Sequence, residues 1–145
     1  MREIKFRAMT KPPKNFGRHK FESKMVHGSG VLQDPHNTWI IDNDDTKSLA
    51  VGTVKHVVKP ETIGQFTGLR DKNGKEIYEG DVVKIALNGN DKQWCIRHVV
   101  WECGRWAVEV GNGDFVTLDS CAGGYISRGE VEIIGNIYEN PELIE

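Results

Sequence analysis

Apolar and polar residues alternate with a period of two in short runs along most of the chain, the pattern of strands that bury one face. Residues 3–9, EIKFRAM, set Ile4 and Phe6 against Lys5 and Arg7 and predict a first strand with those two apolar residues inward. A second strand pair follows in apolar pieces around Met25 to Leu32 and Trp39 to Ile41, with DPHN and DNDD as polar breaks. LAVGTVKHVV adds a β-branched run. Between the first strand and these pieces, KPPKNFGRHK mixes two prolines and a glycine with charges, which neither fill a central strand nor continue a helix. A flexible loop is therefore expected over residues 10–20.

Lys59–Pro60 marks a change, because proline fixes its own φ and biases the preceding residue away from helix. From Gly64 onward short strands succeed one another: IGQFTGL, EIYEGDVVKIAL, WCIRHVVW, RWAVEV, DFVTL and VEIIGNIY. Asn-Gly, Gly-Asn and Gly-Asp pairs punctuate them. The fold class read from this pattern is mainly β. An N-terminal β-rich subdomain over 1–63 precedes a small SH3-like antiparallel β-barrel with a C-terminal tail over 64–145. Within WCIRHVVWECGRWAVEV, a two-residue or four-residue loop centred on Cys103–Gly104 gives one register. Trp101 then faces Trp106, Val99 faces Val108, Val100 faces Ala107, and His98 lies beside Glu109.

The densest set of polar loop residues is QFTGLRDKNGKEIYEGDVVKI, from Gln65 to Ile85. As a calcium loop counted from Asp71 it would need an oxygen ligand, a glycine and a glutamate where Lys75, Glu76 and Val82 stand. Two turns explain it better: a type I′ hairpin at Asn73–Gly74 and a corner at Glu79–Gly80–Asp81. Asp42, Asn43, Asp44 and Asp45 read as a solvated turn rather than a cation site. The histidines have no H-x-x-x-H or H-E-x-x-H spacing, and no phosphate-binding or nucleophile-elbow glycine motif occurs. His98 beside Glu109 reads as a surface pair. No catalytic residue, cofactor or metal is expected, and enzyme is the weakest class.

Charge alters the picture more than composition does. The chain has 145 residues, 38% of them hydrophobic and 28% charged, enough for one ordinary domain or two small ones without staples. Its net charge of −2 is unevenly spread: residues 1–63 hold 11 basic and 7 acidic side chains (+4), and residues 64–145 hold 8 and 14 (−6). The basic segment meets either phosphates or the acidic half of the same or a neighbouring subunit. Three cysteines, Cys95, Cys103 and Cys121, lack metal or redox spacing and read as free thiols, Cys121 in SCAGGY included. The charged N-terminus, MREIKFRAMTKPPK, has no apolar signal core, and no apolar run reaches membrane-spanning length; the expectation is a cytoplasmic protein with no membrane partner.

Three blocks, REIKFRA at Arg2–Ala8, PETIGQFTGLRDKNGKEIYEGDVVK at Pro60–Lys84 and IIGNIYENPELI at Ile133–Ile144, resemble the YopX family. Met9 departs from that pattern, which has tryptophan at this place. The resemblance implies a phage or prophage setting in a bacterial host and an N-terminal β-rich portion followed by an SH3-like barrel. It also implies self-association, and it carries over no catalytic residues. The apolar run IIGNIY, followed by NPELIE, would dock on its own barrel or on another subunit.

Two functions follow. The first is a non-enzymatic module that forms a homo-oligomer or binds a host or phage protein, with Trp39, Trp94 and Ile144 as contact residues. The second is nucleic-acid binding, in which Lys11, Lys14, Arg18 and Lys20 track phosphates while Phe16 and Phe21 stack on bases. The acidic C-terminal half weighs against the second.

Overall fold

The computed structural model describes residues 3–12, 22–42, 54–86, 94–118 and 131–144. Over these it is mainly β, with antiparallel pairing throughout. Contacts divide the chain into two units, Met1–Gln65 and Phe66–Glu145.

In the first unit β1 (Phe6–Met9) pairs with β2 (Met25–Gly28), and Phe6 and Arg7 also pair with Gln65 and Gly64 at the start of β6 (Gly64–Arg70). After Gly28 the chain bends at Ser29, whose N–H donates to the Ile41 carbonyl at 2.9 Å. It then continues as β3 (Gly30–Gln33), paired with β4 (Thr38–Asp42), which pairs with β5 (Val54–Val58). β5 returns to the end of β1: Thr10 bridges Val58, the Lys11 N–H donates to the Val57 carbonyl and the Lys59 N–H to that of Met9. The ladder thus comes back on itself around a small core of Ala8, Val26, Ile40 and Val58, with Phe6 and Ile63 against it.

Several expectations change here. Ile4 is 57% exposed, whereas Arg7 and Met9 are buried together with Ala8. Burial of three consecutive residues means that both faces of β1 are covered, so simple alternation misplaces Arg7. Thr10 and Lys11, expected in a loop, are tied to β5, and residues 13–20 of that loop lie outside the described residues.

In the second unit β8 (Asp81–Ala86), β9 (Trp94–Glu102), β10 (Arg105–Gly111), β11 (Asp114–Thr117) and β12 (Val131–Asn136) form a sheet ordered β11-β10-β9-β8-β12. One face carries the larger core, including Val83, Ile85, Val99, Val108 and Val131, and Ile77 of β7 (Glu76–Tyr78) packs into it. Fully burying a side chain of this size contributes roughly 1.5–3 kcal/mol. The β9–β10 register is the one read from sequence: Trp101 opposite Trp106, Val100 opposite Ala107 and Val99 opposite Val108. Cys103 and Gly104 both have positive φ, 49° and 81°, as a two-residue type I′ turn requires. The two indoles meet edge to face, centroids 4.6 Å apart.

The Asn73–Gly74 turn differs from expectation. Gly74 alone has positive φ, 81°, and its N–H donates to the Asp71 carbonyl at 2.9 Å. This is a type I turn followed by a left-handed glycine, not type I′. The Asp71 carboxylate decides between the two. Its Oδ1 accepts the N–H groups of Asn73 (2.8 Å) and Lys75 (2.9 Å), and its Oδ2 accepts that of Ile133 (3.2 Å).

After β12 the tail folds back onto its own unit. The Ile137 N–H donates to the Gly80 carbonyl, and Leu143 and Asn140 lie against Gly135. These contacts are with the tail's own unit, one of the two docking places expected for IIGNIY.

Candidate interaction surfaces

Two places gather side chains with no evident role in packing, one in each unit. The register of the C-terminal sheet puts Val83, Ile85, Val99 and Val108 on the core face, so the residues alternating with them point outward. On that outward face lie Trp94 and Ile96 of β9 and Phe115 of β11, which are 38%, 40% and 42% exposed. The Lys84 ammonium sits 4.5 Å from the Trp94 ring centroid, a cation–π contact between neighbouring strands. Lys84 is also opposite Glu132, whose carboxylate is 2.6 Å from Lys72. Arg105 and Glu109 alternate with the core residues of β10, so both signs of charge rim the apolar side chains.

The two edges of this sheet differ. Along β12 the Lys72 N–H donates to the Val131 carbonyl and Asp71 accepts from Ile133, so the loop between β6 and β7 covers that edge. Among the described residues no strand pairs with the outer edge of β11. Open edges invite another strand.

In the N-terminal unit a groove of about 610 Å³ is lined by Thr10, Lys11, His36, Asn37, Lys55 and His56, among others. Strand pairing places Lys55 and His56 opposite Ile41 and Ile40, and the Lys11–Val57 hydrogen bond brings the end of β1 to the same rim. Asp34 fixes the opposing turn: its Oδ1 accepts the N–H groups of His36 (2.7 Å) and Asn37 (2.8 Å). Among the described residues no acidic one lines this groove.

The residues singled out from sequence fare unequally. Trp94 and Ile144 are exposed, whereas Trp39 is half-buried on β4 opposite Val57. Lys11 is exposed and lines the groove; Lys14, Phe16, Arg18, Lys20 and Phe21 lie outside the described residues, as does Cys121. His98 pairs across the ladder with Val82 and makes no hydrogen bond or ion pair with Glu109. Burial raises the pKa of Cys95, with Arg97 opposing it; a 3.3 Å hydrogen bond to Glu102, then that group's charge, raises the pKa of Cys103. Both thiols are held in the neutral form, the reverse of an activated nucleophile. Ile96 and Phe115 were missed although alternation within WCIRHVVW and DFVTL carries the signal. His36 and Lys55 had no local signal, because only the return of β5 to β1 brings them near Lys11.

Residues 5–145 match the family model described as YopX protein. The SPbeta prophage-derived uncharacterized protein YopX of Bacillus subtilis (strain 168) is 32% identical over 74 residues, 50% of this chain and 52% of that protein. The matched part is thus about half the length of this relative. The crystal structure of protein EF1440 from Enterococcus faecalis is similar over 98% of both chains, at 26% identity and a TM-score of 0.53. Among the described residues no helix is long and apolar enough to cross a membrane.

Proposed function

Because the chain belongs to the YopX family, we propose that it is a prophage-derived, non-enzymatic contact module of the bacterial cytoplasm that self-associates through its C-terminal sheet. The carrying observation is the exposure of Trp94, Ile96 and Phe115 on one face of the sheet, near the edge of β11 with which no described strand pairs. Large apolar groups grouped this way are interface material, and aromatic side chains are frequent anchors. The rim also supports pairing of like with like. Lys84 and Arg105 lie on the same face as Glu109 and Glu132, so both signs of charge are available to a two-fold contact. The strand order, 5-1-2-3-4 when counted from β8, supports the finer reading of an SH3-like roll.

Light scattering after size exclusion tests the proposal. The parent chain is expected at a multiple of 16.3 kDa, and a Trp94→Glu/Ile96→Lys double variant at the single-chain mass. These outward substitutions leave the core untouched, so the variant's melting temperature should stay within a few degrees of the parent's. A parent chain that stays monomeric over a wide concentration range removes the self-association reading, and a host or phage protein then becomes the partner to seek on this face.

A further inference from the structure

We propose that the groove in the N-terminal unit binds a phosphate-bearing anion, either the phosphodiester backbone of a single-stranded nucleic acid or a free phosphorylated small molecule. Lys11 and Lys55 bring positive charge to it, His36 and His56 bring imidazole N–H groups, and none of its described lining residues is acidic. The nearest acid in the turn, Asp34, directs one carboxylate oxygen at two backbone N–H groups of that turn, which offsets its charge locally. Thr10 and Asn37 supply neutral hydrogen-bonding groups. The Thr10 hydroxyl oxygen accepts the Lys24 N–H at 3.0 Å, leaving its own proton available to a ligand oxygen.

The basic groups are carried by fixed backbone. Lys55 and His56 belong to a paired strand, Lys11 is held by its bond to Val57, and His36 and Asn37 sit on the Asp34 turn. A ligand there would not have to order the loops that present the charge, which lowers the cost of binding. The volume, about 610 Å³, lies within the range of small-ligand sites and accommodates one nucleotide unit. The charge of +4 over residues 1–63 favours the approach of an anion to this unit. This site lies in the other unit from the sheet face proposed for self-association and stands independently of it.

Fluorescence anisotropy with a labelled oligothymidylate, at about 50 and about 200 mM sodium chloride, is the direct test, with ATP as competitor. Salt-sensitive binding is expected. A Lys11→Glu/Lys55→Glu variant should bind at least about tenfold more weakly and show a log–log salt slope shallower by about 1.4, two phosphate contacts at roughly 0.7 each. Competition by ATP at concentrations similar to its own affinity identifies a free phosphorylated ligand as the source; binding of the oligonucleotide alone identifies the polymer. Should the double variant misfold, amide resonances of the unaltered chain decide, since Lys11, Asn37, Lys55 and His56 should shift with added ATP or oligonucleotide. Absence of salt-sensitive binding to both probes overturns the proposal, as does binding that a folded double variant retains in full.

Discussion

Replacing Gly28 with alanine is expected to destabilise the N-terminal unit by about 3 kcal/mol, and valine by more. A Cβ at this position would lie 2.1 Å from the Ile41 carbonyl oxygen and 2.6 Å from Cγ2 of Ile40. Both obstacles are fixed. The Ile41 carbonyl already accepts the Ser29 N–H at 2.9 Å, and Ile40 is a fully buried member of the small core. Relief of the clash requires β2 to move away from β4, which breaks the bend carrying the chain from β1's partner to β4's partner. Overpacking in a tight core costs roughly 1–3 kcal/mol even where side chains adjust, and here backbone must move. Urea unfolding followed by an N-terminal reporter such as Trp39 measures the loss. Gly30 is the control: its Cβ would meet only Ile41 side-chain atoms at 3.7–3.8 Å, so Gly30→Ala should fall within about 1 kcal/mol of the parent. Equal midpoints for the two variants would contradict the bend as described.

That contrast shows where sequence reading stopped. The run from Met25 to Leu32 is legible as apolar and extended, but nothing local says that it is two strands serving different neighbours. The bend at Ser29 follows from which backbone lies across Gly28, a long-range property. For the same reason the groove residues could not be grouped from sequence: Lys11 is separated from Lys55 by 44 positions (55 − 11), and they meet through the Thr10–Val58 bridge and the Lys11–Val57 hydrogen bond. In the C-terminal unit the informative contacts are local. The β9–β10 register was readable because turn chemistry at Cys103–Gly104 and alternation on both sides agree, and each constrains the other. The turn at Asn73–Gly74 was half legible. Its position followed from the glycine, but its type was set by the Asp71 side chain and by Ile133, which is 62 residues away.

Asp71 is the second residue whose loss should be felt widely, because one carboxylate closes a turn and ties it to the last strand. Its side chain is buried and accepts three backbone N–H groups, from Asn73, Lys75 and Ile133. Hydrogen bonds to a charged acceptor are worth roughly 1.5–3 kcal/mol each, and their loss leaves N–H donors unpaired. Asp71→Ala is therefore expected to cost about 3–4 kcal/mol, after allowance for water reaching the more open donors at the turn. Asp71→Asn should cost less, since its carbonyl oxygen can still serve the turn. Its amide NH2 would then face the Ile133 N–H, donor against donor, and the tie to β12 would be lost. The pH dependence has a definite sign. Burial by itself raises the carboxyl pKa, but the amide hydrogen bonds from Lys75, Ile133 and Asn73 outweigh it, and the net shift is downward from 3.8. A carboxylate lowered on folding adds stability that is complete above its unfolded pKa and is lost as pH falls through the folded value. The parent chain should thus lose denaturant stability below about pH 4 more steeply than Asp71→Asn, and the gap between the two should narrow with acid. A gap that stays constant from neutral pH down to about pH 2 would mean that the charge of Asp71 contributes nothing to holding the turn against β12.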